Sequence, residues 1–380
     1  MSRELIVTNA RVVTRHETFT GSMLALGGEI VEVAPGHSAA AEAEDFEGDL
    51  LLPGVIELHT DVLERHIAPR PAVQWPPLAA VLAYDAQLAA AGITTVLDSL
   101  ALGYLIDSGQ RPRDPRPLVE AINAAQAVGA LRAEHHLHLR CEVSTEAVVR
   151  DFEPFVDHPM LRLVSLMDHA PGQRQFTSLE KYREYNQGRY GLSDTAMNEI
   201  VEQRLADHER YAQKHRAEIT RLCQKHGLRL ASHDDATTAH VEEAASIGTV
   251  IAEFPTTLEA AEAARRWGLA IMAGAPNLIR GRSHSGNVPV GELAGRGLVD
   301  ILSSDYVPAA ALHGAWLLHA RHGVALHEAI ATVTAVPAER VGLDDRGELD
   351  PGRRADVIRV GLIGDVPVVR AVWRRGVRVA

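Results

Sequence analysis

Lysine is almost absent from this 380-residue chain: Lys181, Lys214 and Lys225 are the only ones, and the other 35 of its 38 basic residues are arginines. Much of that bias is compositional, but any anion site must be built from arginine. Cysteine is scarce too. Cys141 and Cys223 cannot make a disulfide framework or a Cys-type zinc site. No stretch reaches the roughly 18 consecutive apolar residues of a membrane span. The opening MSRELIVTNARVV lacks a basic-then-apolar signal region, so a soluble cytoplasmic protein is expected. The net charge of −12 argues against broad contact with nucleic acid or anionic membrane. What is plentiful is histidine, 19 of them, and their placement is informative.

The first fifty residues read as short strands and turns, and so do the last forty. Neither end holds enough apolar surface for its own core. Together, 1–50 and 341–380 are expected to form one small β domain. Between them, over 51–340, strand and helix alternate. Strands are expected at 54–59, 92–98, 131–141, 161–168, 228–233, 248–253, 269–273 and 299–304. Helices are expected at 76–91, 115–129, 236–247, 257–267 and 308–322. Eight strands with helical crossovers predict a (β/α)8 TIM-type barrel. A doubly wound sheet is the competitor, weakened because no G-x-G-x-x-G follows a strand. Residues 172–226 read as a charged helical insertion, its second half, 194–226, as one long helix or two.

The polar residues collect at the C-terminal ends of these strands, where barrel enzymes place their chemistry. Strand one ends in His59-Thr60-Asp61, and residues two apart share a face. Strand three carries His136, His138, Arg140 and Glu142 on one face. Such a polar face needs satisfied partners or a site. Strands four, five and eight end in Asp168-His169, His233-Asp234-Asp235 and Asp305. A His alone after a strand is commonly a cap; several strand ends with the same logic point to a two-metal centre of His and carboxylate ligands. Such a centre polarises a substrate oxygen and lowers the pKa of a water. None of the three lysines follows a strand, so a bridge between two metals falls to a carboxylate such as Glu142 rather than a carboxylated lysine.

A basic constellation accompanies these residues. Arg70 follows strand one and Arg174 follows strand four, with Lys181, Arg183 and Arg189 beyond it. Arg280, Arg282 and His284 follow strand seven in the run GAPNLIRGRSHSGN. Glycines, forked guanidinium donors and hydroxyls in one segment suit phosphate oxygens, and a TIM barrel often binds phosphate near its last strands. A solvated loop is the bland alternative.

The strings LVSLMDHAPGQRQF, ASHDDAT, AEFPTT and RGRSHSGN resemble the diphosphatases of the carbon–phosphorus lyase pathway, within the amidohydrolase superfamily. The similarity extends over nearly the whole chain, and GRRADVI resembles the superfamily's re-entry strand. The resemblance implies hydrolysis of α-D-ribose 1-methylphosphonate 5-triphosphate to the 5-phosphate and diphosphate, on one or two divalent ions, zinc or manganese. It implies metal ligands at His59, Asp61, Glu142, His169, His233 and Asp305. Asp305 would accept a proton from water, with His233 beside it. Arg70, Arg174, Arg280, Arg282 and His284 would neutralise the triphosphate. Two departures stand out: Asp61 replaces the second His of an H-x-H, and strand six ends in Glu253-Phe254-Pro255 with no His. A homo-oligomer is compatible with the family. Two other functions fit the residues: a metal-dependent hydrolase of cyclic amides or amidines, and a non-catalytic subunit of a phosphonate-processing assembly.

Overall fold

The computed structural model describes residues 4–70, 73–103, 114–176, 178–283 and 285–380. Five strands open the chain: β1 (Glu4–Val13), β2 (Thr18–Leu26), β3 (Glu29–Pro35), β4 (Glu44–Asp45) and β5 (Leu50–Pro53). Eight follow, most of them separated by helices: β6 (Val55–Thr60), β7 (Ile93–Leu102), β8 (Glu134–Glu142), β9 (Leu161–Met167), β10 (Arg229–His233), β11 (Ile251–Glu253), β12 (Ala270–Gly274) and β13 (Ile301–Ser303). Three close it: β14 (Val357–Ile363), β15 (Val366–Arg374) and β16 (Val377–Arg378).

The two chain ends share one sheet, in the order β16-β15-β14-β5-β1-β2-β3, with β4 on β1. The link is β5, parallel to β1 and antiparallel to β14. Neither end alone would bury its apolar face; joined, they pack Val7, Val12, Met23, Ile30, Phe46, Leu51, Val357 and Trp373 into one core. Phe46 and Trp373 stack there at 5.9 Å.

β6 to β13 pair side by side, all parallel, into the expected barrel. The seam between β13 and β6 is held just past the last strand. Thr60 bridges to Asp305, whose N–H donates to the His59 carbonyl at 3.2 Å. A buried carboxylate completes the seam: Glu57 accepts from the His59 N–H (2.7 Å), the Ser303 hydroxyl (2.9 Å) and the Ser304 N–H (2.7 Å). Burial pushes the Glu57 carboxyl up despite these bonds. Below the site the barrel is filled by Ile56, Leu58, Leu97, Leu163, Ile251, Met272 and Ile301, with Val341 and Leu343 packed against them. This apolar plug leaves one polar mouth, at the C-terminal ends of the strands.

The run 194–226 is one 33-residue helix, Asp194–His226, about 50 Å long at 1.5 Å per residue. Ser193 caps its start by accepting from the Ala196 N–H, and Gly227, at φ +67°, ends it. Its C-terminal half is the barrel's own crossover layer, with Ile219, Leu222 and Cys223 buried in the main core. Only its first turns and the helix Leu179–Tyr190 are extra. They meet through Tyr182, Met197 and Val201 and stand over the polar mouth. Among the described residues no helix is long and apolar enough to cross a membrane.

Candidate active site

The polar mouth is a cavity of about 450 Å3. Its floor is built from residues at or just past the strand ends, including His59, Asp61, Arg140, Glu142, His169, His233, Asp234 and Asp305. Three of these turns are in the left-handed region: Asp234 (φ 56°), Phe254 (φ 53°) and Asp305 (φ 53°). Non-glycine residues held there carry strain of order 1–3 kcal/mol, and such strain clusters at functional sites. The kink at Asp234 lets it face the cavity beside His233, although strict alternation along β10 would send the two apart.

Glu253 is the hub of a first cluster. It is 1% exposed and ends β11. Its carboxylate accepts from the Ser165 hydroxyl at 2.6 Å, and it meets His233 Nδ1 at 3.1 Å, His59 Nδ1 at 3.3 Å and His138 Nε2 at 3.6 Å. Burial alone would raise its carboxyl; the surrounding histidines, His138 and His59 foremost, hold it well below the usual range. The same burial keeps the imidazoles neutral. His59 is pushed down to about 3, with Arg140's charge adding to the effect, and His138 to about 4. The His138 Nδ1 side is anchored at 2.9 Å from the Leu58 carbonyl.

A second cluster lies beside it. His169 Nδ1 is 2.6 Å from Glu142 Oε2, and the His169 backbone N–H donates to Glu142 Oε1 at 3.0 Å. The Ser144 hydroxyl donates to Oε1 as well, at 2.8 Å. Across the cavity, Asp234 Oδ2 is 3.6 Å from His169 Nε2 and 3.4 Å from His233 Nε2. Burial would lower His169, but the Glu142 charge and the bonds to Asp234 and Glu142 outweigh it and lift His169 to about 9. His233 thus joins the clusters, one ring nitrogen on Glu253 and the other on Asp234.

Two trios bring their donor atoms within 4.8 Å of one another: His59, His138 and Glu253, and His169, His233 and Asp234. Imidazoles beside buried carboxylates are the donor set of a divalent transition metal. Across from them stand Asp61 and Asp305. Burial first, then the Asp61 charge, raises the Asp305 carboxyl to about 7, against the pull of Arg140.

All six residues expected as ligands come to this cavity, but not in equal roles. His59, His169 and His233 sit in the trios, whereas Glu142 is turned onto His169. His138, Asp234 and Glu253 belong to the trios in addition to the expected residues. The polar face of strand three already singled out His138; nothing in the sequence tied Glu253 to His59.

The basic residues divide. Arg280 and Arg282 line the cavity, together with Arg65 and Arg140. Arg174 does not: it is 3% exposed and its guanidinium is bound by Asp235 and by Glu243, the latter at 3.0 Å. It is held in a buried ion pair, away from the cavity lining where a phosphate would meet it. Arg70 is exposed, outside the cavity lining, in a short bridge to Val73. His284 lies outside the described residues. The opposite wall comes from the helix Leu179–Tyr190, through Tyr182, Tyr185 and Asn186.

The amidohydrolase family model matches residues 78–380. Over 377 residues the chain is 47% identical to the alpha-D-ribose 1-methylphosphonate 5-triphosphate diphosphatase of Escherichia coli (strain K12), spanning 99% of this chain and 100% of that protein. Among solved structures it resembles the N-isopropylammelide isopropylaminohydrolase of Burkholderia multivorans (TM-score 0.65, 17% identity, covering 99% of this chain and 98% of that one). It also resembles the N-acetylglucosamine-6-phosphate deacetylase of Pasteurella multocida (TM-score 0.63, 13% identity, 99% and 100%). At these identities the two structures speak to the fold alone.

Proposed function

This chain belongs to the amidohydrolase family, and from that premise we propose that it is a metal-dependent diphosphatase. It hydrolyses α-D-ribose 1-methylphosphonate 5-triphosphate to the 5-phosphate and diphosphate. The observation that carries this reading is the 47% identity, spread over 99% of the chain, to a diphosphatase of that substrate. The cavity is consistent with it, because donor trios and arginines share one mouth.

Zinc or manganese suits the donors. His59, His138 and Glu253 would hold one ion, and His169, His233 and Asp234 a second. When bound, such ions polarise a phosphoryl oxygen and make a water more acidic. The chain's residues do the rest. Glu142 holds His169 by Nδ1, so that Nε2 faces the cavity. Asp305, poised near 7, accepts a proton from the attacking water at its carboxylate. Asp61 adds a further carboxylate beside it. Arg280 and Arg282 neutralise the terminal phosphates, the main demand of phosphoryl chemistry. Phe254 packs edge-on against His59 (4.9 Å) and His233 (5.6 Å), fixing both rings.

The test is product analysis. Metal-loaded protein given the ribose triphosphate should release diphosphate in one step, read by phosphorus NMR. Stepwise release of single phosphates, or ammonia release and ring opening on cyclic amides in its place, would overturn the reading. Arg280→Ala tests the phosphate assignment. Losing a charge-assisted bond of about 1.5–3 kcal/mol should raise KM for the triphosphate roughly tenfold to a hundredfold. Equal shifts for triphosphate and monophosphate substrates would show that Arg280 does not read the terminal phosphates.

A further inference from the structure

Among the described residues four arginines are buried: Arg140, Arg174, Arg346 and Arg354. Three are paired. Arg174 is held by Asp235 and Glu243, Arg346 meets Asp345 at 2.7 Å and Glu134 at 3.1 Å, and Arg354 meets Glu134 at 2.6 Å and Asp356 at 2.8 Å. Arg140 is the exception. It is 7% exposed, its Nε has no partner, and no side-chain hydrogen bond or ion pair joins its guanidinium to the other described residues. It nonetheless faces the cavity. It sits on β8 two residues beyond His138 and two before Glu142, hence about 7 Å along the strand from each. That places it between His138 of the first trio and Glu142, which holds His169 of the second, with Asp234 and Asp305 near enough to feel its charge but not to bind it.

Leaving a buried nitrogen of a charged guanidinium without a partner is costly. Among the described residues Arg140 is the buried arginine for which no carboxylate offsets that cost, and it lines the cavity where the metal donors converge. A neutral amide could accept a single hydrogen bond from it but would leave its charge uncompensated. A tetrahedral anion would fill it, because a guanidinium binds two phosphoryl oxygens at once.

We propose that Arg140 is a catalytic residue that binds the non-bridging oxygens of the phosphoryl group undergoing attack, and that it adapts this amidohydrolase barrel to phosphoanhydrides. The inference rests on the diphosphatase reading above and deepens it. The α-phosphoryl lies on the floor against Arg140, and the β- and γ-phosphates extend to Arg280 and Arg282 at the rim. The water oxygen bonds to the α-phosphorus and the bond from that phosphorus to the β-phosphate oxygen breaks, its electron pair leaving with diphosphate. One water proton goes to Asp305, and the other stays on the new 5-phosphate. Arg140 balances the charge on the α-oxygens while they are most electron-rich.

The experiment compares wild type with Arg140→Met and Arg140→Lys. Metal content, melting temperature, affinity for inorganic phosphate with and without metal, and steady-state kinetics are measured for each. Arg140→Met should melt at or above the wild-type temperature, since an unpaired buried charge is removed, and should keep its metal. Its phosphate affinity should fall at least tenfold in both metal states. Its kcat should fall a hundredfold or more, as for loss of an oxyanion donor, with a smaller change in KM. Arg140→Lys should recover only part, lacking the fork. Unchanged phosphate affinity and kcat in Arg140→Met would overturn the proposal. So would a lower melting temperature with lost metal, repaired fully by Lys, because the charge would then be structural. If wild type releases no diphosphate, the diphosphatase reading fails by itself, and the phosphate affinities still judge Arg140.

Discussion

Replacing Glu142 by Gln changes one oxygen to an NH2 group and should reverse a histidine. In the wild type Oε1 accepts from the His169 N–H and the Ser144 hydroxyl, and Oε2 faces His169 Nδ1 at 2.6 Å. A glutamine carbonyl in the Oε1 position keeps the first two bonds. Its NH2 then points at Nδ1 and needs a lone pair there, which moves the ring proton to Nε2, the nitrogen facing Asp234. The metal-facing lone pair is lost. The magnitude follows from the protonation of the metal-free protein. His169 stands at about 9, whereas His59 and His138, at about 3 and 4, are already neutral. At pH 8 Asp305, at about 7, has largely ionised. Of these groups only His169 then has a proton to give up, so metal binding to wild type should release one proton. Affinity should rise about tenfold from pH 7.5 to 8.5 and level off above 9. Glu142→Gln removes the strongest upward influence on His169, so its proton release should fall towards zero. Above pH 9 it should bind metal roughly 10–100-fold more weakly, the usual cost of losing a ligand's orienting partner; near pH 7 the two proteins should converge. Titration calorimetry in buffers of different ionisation enthalpy counts the protons directly. A wild-type affinity flat from pH 7.5 to 8.5, or equal proton release from both proteins, would refute the reasoning.

A second pH dependence concerns stability. Behind the barrel wall His135 lies between Asp98 (2.8 Å) and Asp85 (3.4 Å). Burial opposes its charge, but the Asp98 charge and the bonds to both carboxylates lift it to about 9. A raised histidine stabilises fully below its unfolded value near 6.5 and loses that contribution as pH climbs through 9. Stability read from urea melts should therefore fall between pH 6.5 and 9, by up to about 3 kcal/mol at 1.36 kcal/mol per unit, and Asp98→Asn should flatten the slope; a wild-type profile rising with pH would contradict this. Separately, Gly54→Ala should cost roughly 1–3 kcal/mol, read by the same urea melts, because its Cβ would clash with the Thr94 side chain at the entry to the barrel. Thr94→Ala should recover part of that loss.

The sequence alone determined the order of strands and helices, the joining of the two ends, and the gathering of His and carboxylate residues at strand ends. These features follow from local rules: apolar periodicity, turn residues, and chain ends too poor in apolar surface to fold separately. Faces were legible too, so His138, Arg140 and Glu142 could be placed together on strand three. Tertiary structure decided neighbours and depth. Closing the barrel brings His59 within 3.3 Å of Glu253, 194 positions away, and no period-two pattern contains that distance. A left-handed turn brings Asp234 to the cavity, and backbone sign is not readable from an Asp in a loop. Arg70, Arg174 and Arg140 are the same residue in sequence. The fold leaves the first in solvent, pairs the second with Asp235, and buries the third unpaired, because an arginine's role is set by the carboxylate it does or does not meet.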